Sequence, residues 1–214
     1  MKYKIIPVTP FQQNCNLIWC DKTNKAAIVD PGGDVDRIIA EVEKHGVDVE
    51  KVLLTHGHID HVGGATELAQ RLNVPIIGPH KDDQFLLDDL ADQSRMFQFK
   101  PCDTFVPAQY LNDGDVVTVG DLSLQVCHCP GHTPGHVVFF EPLTKTAWVG
   151  DVLFKGSIGR TDFPQSSHPA LIDSITKKLW PLGGEVEFIP GHGPSSTFAQ
   201  ERRSNPFVAD QLFG

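Results

Sequence analysis

The segment Thr55-His56-Gly57-His58-Ile59-Asp60-His61 puts three imidazoles and a carboxylate directly after the apolar run Val52-Leu53-Leu54. Neutral imidazole is the commonest protein metal ligand, and imidazole with carboxylate suits zinc or iron, so the cluster reads as a metal site. Three further segments share its character: Gly131-His132-Thr133-Pro134-Gly135-His136, Gly150-Asp151 and Pro190-Gly191-His192-Gly193-Pro194. Each places a His or Asp in a turn bracketed by Gly or Pro, close behind an apolar run. One such His would be ordinary. Three of the ten His within six residues, with others beside glycines at strand ends, are better explained by function. The helical zinc-protease pair, H-E-x-x-H, does not fit. In an extended segment or turn His56 and His58 share one parity and face one point, while Asp60 and His61 turn toward a second, which suggests two ions.

Turns of this kind need strands to carry them. Short apolar runs broken by Asp, Asn, Gly or Pro predict strands over 3–8, 16–20, 25–29, 51–55, 75–77, 116–119, 122–127, 136–140, 146–149 and 186–189. An Asp near the start, apolar residues at helical spacing and a closing Gly predict a helix over 34–46. Further helices are expected over 63–72, within 82–93 and over 169–179. Strands and helices interleave in both halves, so an α/β fold with sheet packed between helices is expected. Segments 112–115 and 119–121 read as tight turns of a meander.

Composition limits the partners. A chain of 214 residues, 40% hydrophobic and 21% charged, can bury a core without disulfide support. No apolar stretch approaches a membrane span, and residues 1–7 lack the apolar region and cleavage site of a secretory signal. Five Cys without disulfide-type spacing suit a reducing compartment, so a cytoplasmic location is expected. In Cys127-His128-Cys129, strand alternation sends the His to the face opposite both thiols, which favours buried strand cysteines over a metal site. The net charge of −9 argues against nucleic acid as a partner, because phosphate binding needs clustered Lys and Arg.

His56-x-His58-x-Asp60-His61, then His132, Asp151 and His192, with Val29-Asp30-Pro31-Gly32-Gly33 ahead of them, resemble the metallo-β-lactamase superfamily in order and spacing. The resemblance implies an αββα sandwich of two mixed sheets flanked by helices, with the metals at one edge. It implies one domain over residues 1–214 and two divalent metal ions, zinc or iron. His56, His58 and His132 would hold one ion and Asp60, His61 and His192 the other, with Asp151 bridging. Asp60 would also orient the attacking hydroxide, and Asp30 would support a ligand from behind.

Within the superfamily the chain is similar to short hydroxyacylglutathione hydrolases, the type II glyoxalases. Gly150-Asp151-Val152-Leu153-Phe154 and the basic Arg160, nine positions after Asp151, match that branch. This resemblance implies hydrolysis of S-lactoylglutathione to D-lactate and glutathione in methylglyoxal detoxification. Arg160 would hold the glutathione carboxylate, and the protein would be a monomer or weak homo-oligomer. The helical glutathione-binding domain of the longer enzymes is expected to be absent, with Arg202 and Arg203 as candidate substitutes for its basic contacts. Gly159-Arg160-Thr161-Asp162-Phe163 also resembles the persulfide dioxygenases, which use one iron at the counterparts of His56, His132 and Asp151. That activity, on glutathione persulfide, is the alternative. Segment 82–99 reads either as a mobile flap or as helix packed on the sandwich.

Overall fold

The computed structural model describes residues 1–212. The first sheet holds β1 (Lys2–Val8), β2 (Gln13–Trp19), β3 (Lys25–Val29), β4 (Asp48–Leu53) and β5 (Ile76–Ile77), side by side in that order. β1, β2 and β3 pair antiparallel, whereas β3, β4 and β5 run parallel. Parallel neighbours need crossovers, which are supplied by α1 (Val35–His45), α2 (Ile59–Val62) and α3 (Ala65–Leu72). Helices α4 (Gln84–Asp88) and α5 (Leu90–Phe97) precede the second sheet.

The second sheet contains β6 (Val116–Val119), β7 (Leu122–His128), β8 (Val137–Glu141) and β9 (Thr146–Gly150). A small hairpin, β10 (Leu153–Phe154) with β11 (Ser157–Ile158), and α6 (His168–Asp173) follow before β12 (Glu187–Pro190), β13 (Ser196–Thr197) and α7 (Phe198–Ser204). The spatial order is β13-β12-β9-β8-β7-β6. Only the β12 and β9 pairing is parallel, so this sheet is mixed as well.

The layers follow from alternation along the strands. Ile18, Ala27, Val29 and Leu53 of the first sheet pack on Leu124, Val126, Phe139 and Trp148 of the second. The opposite face of the first sheet, with Leu17, Ile28 and Val52, meets Val35, Ile38 and Val42 of α1 and Leu68 of α3. The outer face of the second, with Val138, Val149 and Phe188, meets Leu171, Ile175 and Phe198. Period-2 strands between period-3.6 helices thus give a four-layer αββα sandwich.

Most expected elements appear within a residue or two, and the differences have local causes. The strand expected over 51–55 spans Asp48–Leu53, ending before Leu54 because the backbone breaks away to present the His-bearing turn. Asp34 stands before α1, but its side chain does not cap the helix; Oδ2 instead accepts the Thr9 N–H at 2.9 Å. Gly46 closes α1 at φ 61°, donating to the Val42 and Glu43 carbonyls as a left-handed cap should. The single helix expected within 82–93 is broken into a 3₁₀ turn, α4 and α5, and the helix over 169–179 passes from α-helix to π-helix at Ser174. Leu86, Leu87 and Leu90 are buried, which supports packing over a flap for that part of 82–99. The Cys127 and Cys129 thiols are unbridged, and burial pushes both up, Cys127 to about 11.

Strand direction then decides where the turns meet. β9 and β12 are parallel, β8 opposes β9 and β7 opposes β8, so β7, β9 and β12 end at one edge. The chain leaving β4 joins them there, since the Val137 N–H donates to the Thr55 carbonyl at 2.8 Å. Phe139 is fully buried between the sheets. Phe139→Ala should therefore cost about 3–5 kcal/mol of stability, read as a lowered urea midpoint with an unchanged slope.

Candidate metal centre

Four of the donor-bearing turns arrive at that edge from β4, β7, β9 and β12, and α2 adds Asp60 and His61. His56 Nε2 lies 3.1 Å from His58 Nδ1, and His132 Nε2 lies 3.0 Å from the same atom. The far ring nitrogens fix the tautomers. His132 Nδ1 faces the Arg160 carbonyl at 2.8 Å and must donate to it. The Thr55 hydroxyl donates to Asp30 Oδ2 at 2.6 Å, so it accepts from His56 Nδ1 at 3.1 Å. Both Nε2 atoms then present lone pairs to His58 Nδ1, and one proton there cannot serve two acceptors. The arrangement fits a cation.

A second group lies alongside. His192 Nε2 is 3.0 Å from Asp60 Oδ2, and His61 Nε2 is 3.7 Å from it. Asp151 faces both groups, with Oδ1 3.4 Å from His61 Nε2 and Oδ2 3.7 Å from His132 Nε2 and 3.8 Å from His192 Nε2. His61 Nε2 and Asp151 Oδ1 are buried without a hydrogen-bond partner among the described residues. Buried polar atoms are rarely left so, and an ion would satisfy them. These are His/Asp clusters for a dinuclear metal site, rich in nitrogen and oxygen and without thiolate.

The supporting residues explain the orientation. Asp30 accepts from His61 Nδ1 at 2.9 Å and from the Thr55 N–H at 2.8 Å, so it steadies the His61 ring and the start of the His-bearing turn from behind while also turning the chain at φ 51°. The Phe11 carbonyl accepts from His192 Nδ1 at 3.1 Å. Asn14 Nδ2 donates to the Pro190 and Gly193 carbonyls, pinning the His192 turn to the first sheet. A Cβ on Gly191 would stand 2.1 Å from Asp151 Oδ1 and 2.6 Å from His61 Cε1, so no side chain fits there.

Electrostatics separates the two groups. Burial and neighbouring imidazoles push His58 down to about 3 and His56 well below its ordinary value. Burial also lowers His132. Burial opposes charge on His61 and His192 too, but Asp151 and Asp60 overcome it and raise both. Burial likewise opposes ionisation of Asp151, yet His61, His132 and His192 hold its carboxyl far below the carboxylate range. The first group is neutral and ready to bind; the second carries protons that stand in for a cation's charge.

Two residues quoted in the sequence motifs had no role assigned there, His136 and Phe163. His136 stacks on His56 with centroids 4.6 Å apart and accepts the Asp151 N–H at 3.0 Å. Phe163 lies 4.8 Å from the His58 ring and 5.5 Å from His132, walling the first group. Their motifs marked the segments but not the roles, because each acts through chain-distant neighbours. Arg160 sits at the rim, 70% exposed, paired with Asp162 at 2.8 Å and 4.8 Å above the Phe163 ring. Arg202 pairs with Asp210, a surface contact outside the site. His80, Asp82 and His128 also cluster, with the two rings stacked 17° from parallel and His128 Nε2 turned to the Pro134 carbonyl at 2.8 Å.

The Metallo-beta-lactamase superfamily pattern matches residues 8–198. The chain belongs to this superfamily. It is 47% identical to the hydroxyacylglutathione hydrolase GloC of Haemophilus influenzae over 97% of this chain and 98% of that one. Among solved structures it resembles the B3 metallo-beta-lactamase BLEG-1, with TM-score 0.89 and 34% identity over 97% of this chain and 99% of that one. It also resembles TTHA1623 in a di-iron-bound form, with TM-score 0.87 and 34% identity over 96% and 100%. In this metallo-β-lactamase fold no described helix is long and apolar enough to cross a membrane.

The proton inventory predicts unequal pH dependence. The imidazoles of the first group are lowered and those of His61 and His192 raised, so filling the second group should release more protons than filling the first. Acidification from neutral pH should weaken the second ion more than the first. Zinc calorimetry in two buffers of different ionisation enthalpy reads this directly, and equal proton release for both ions would contradict it. Gly191→Ala should likewise lose the second ion in metal analysis.

Proposed function

We propose that the protein is a metal-dependent thioester hydrolase that splits S-lactoylglutathione into D-lactate and glutathione, acting in the cytoplasm. His56, His58 and His132 are assigned to one ion, Asp60, His61 and His192 to the other, and Asp151 to both, with zinc the preferred metal and iron admissible. The observation that carries the hydrolase reading is the second donor group, in which Asp60, His61 and His192 meet Asp151 beside the three imidazoles of the first. A persulfide dioxygenase with one iron would need only His56, His132 and Asp151. Glutathione as thiol carrier rests on the similarity to the Haemophilus influenzae hydrolase.

Two bound divalent cations would supply an activated water at neutral pH and offset charge developing on the thioester carbonyl. The chain's residues prepare the rest. Asp60, lowered by His61 and His192 against the effect of burial, is an ionised acceptor that can orient a water's proton. The buried imidazoles and the Phe163 wall restrict bulk water. A thiol leaving group, with pKa about 8.5, departs as thiolate without a dedicated general acid. Arg160 offers a planar fork suited to a carboxylate, provided the substrate displaces Asp162 from it.

Paired assays decide between the readings: S-lactoylglutathione hydrolysis without oxygen, O₂ uptake with glutathione persulfide, and β-lactam turnover, each with metal analysis. About two metals per chain with oxygen-independent thioester cleavage is the expected result. One iron per chain with O₂ consumption would overturn it. Asp151→Ala should abolish activity and remove most bound metal, and unchanged metal content would contradict the bridging role. Arg160→Ala should raise KM far more than it lowers kcat, as loss of uniform binding does. An unchanged KM would place the thiol carrier elsewhere.

A further inference from the structure

Asp83 is completely buried, on the 3₁₀ turn that leads into α4, and touches none of the seven assigned ligands. Its carboxylate lies between the two chain segments that carry the first ligand group. Oδ2 accepts the Gly57 N–H at 2.9 Å and the Thr133 hydroxyl at 2.8 Å, and Oδ1 accepts the Gly135 N–H at 2.5 Å. Gly57 stands between His56 and His58, Thr133 follows His132, and Gly135 precedes His136, whose ring stacks on His56.

The surroundings are shaped for this carboxylate. A Cβ on Gly135 would lie 2.5 Å from the Asp83 nitrogen, and one on Gly57 would lie 2.8 Å from Leu86 Cβ. Asp83 is itself anchored, because its N–H donates to the His80 carbonyl and the His80 N–H donates to the Gly135 carbonyl. Burial pushes its carboxyl up to about 6 against the pull of its three donors, so above that pH it is ionised and acceptor-only. Charge-assisted hydrogen bonds of this kind are shorter and stronger than neutral ones.

We propose that Asp83 is a positioning residue that sets the separation of the His56/His58 and His132 loops, and so the shape and affinity of the first metal group. The nitrogens that must converge come from segments more than seventy positions apart, 3.0 Å between His132 Nε2 and His58 Nδ1. No other side chain among the described residues bonds both segments through a single carboxylate. Asparagine cannot replace it. Its one oxygen can serve either Gly135 or the Gly57 and Thr133 pair, and its amide then faces a donor.

The inference rests on the dinuclear reading, so the test uses Co²⁺ in the full chain, with d–d spectra and chelator competition alongside urea unfolding. Asp83→Asn should weaken one of the two Co²⁺ ions about 10- to 100-fold, the range for losing an outer-shell partner, and alter its d–d band while leaving the other ion unchanged. Thr133→Val, which removes one of the three donors, should shift the same band in the same direction by less, and it decides the matter if Asp83→Asn does not fold. Variants with lower urea stability but unchanged Co²⁺ spectra and affinities would overturn the proposal, leaving Asp83 a packing residue only. Unmutated protein that binds no Co²⁺ would overturn the metal reading and this inference with it, a result distinct from variants that match the parent.

Discussion

The structure depends on one electrostatic problem, the crowding of five imidazoles and two carboxylates at a single edge with most of their solvent removed. The lone pairs of His56 and His132 face each other across His58, while Asp151 and Asp60 favour protons on His61 and His192. Such a cluster is costly to assemble, since each buried polar group needs a partner. The fold bears that cost elsewhere, in three continuous apolar layers that make no use of the site. Binding of cations would release the strain and so couple metal to stability.

Two sheets solve the geometric half of the problem. Loops that leave parallel strand ends can converge without distorting the sheets, and helices cover both outer faces. The site is nonetheless stitched together by tertiary contacts: Asn14 ties the His192 turn to the first sheet, Asp30 links β3 to His61 and Thr55, and Asp83 bridges the two loops of the first group. Each uses a side chain from one layer to hold backbone from another. A ligand's position is therefore a property of several distant segments.

The rim follows different rules. Arg160, Asp162 and Phe163 form an exposed pair over an aromatic ring, and an exposed ion pair contributes little to folding. This light hold on Arg160 is what its proposed role as a substrate-carboxylate clamp would require.

The sequence by itself determined the metal chemistry and the order of the fold. His56, His58, Asp60 and His61 are close in the chain, and their residue types and parity alone place two donor directions in one turn. Apolar alternation located nearly every long strand, and the Gly46 stop defined α1, because these signals are local. That His132, Asp151 and His192 belong with that turn came from the family resemblance and from no local pattern; the tertiary structure supplies the reason they meet it, which is the direction in which β7, β9 and β12 run. The two-residue strands β10, β11 and β13 carry too few residues for a periodic signal, whereas β5 was legible between Asn73 and Gly78. Asp83 has no distinguishing local pattern in Lys81-Asp82-Asp83-Gln84, because its three donors come from chain segments dozens of residues away.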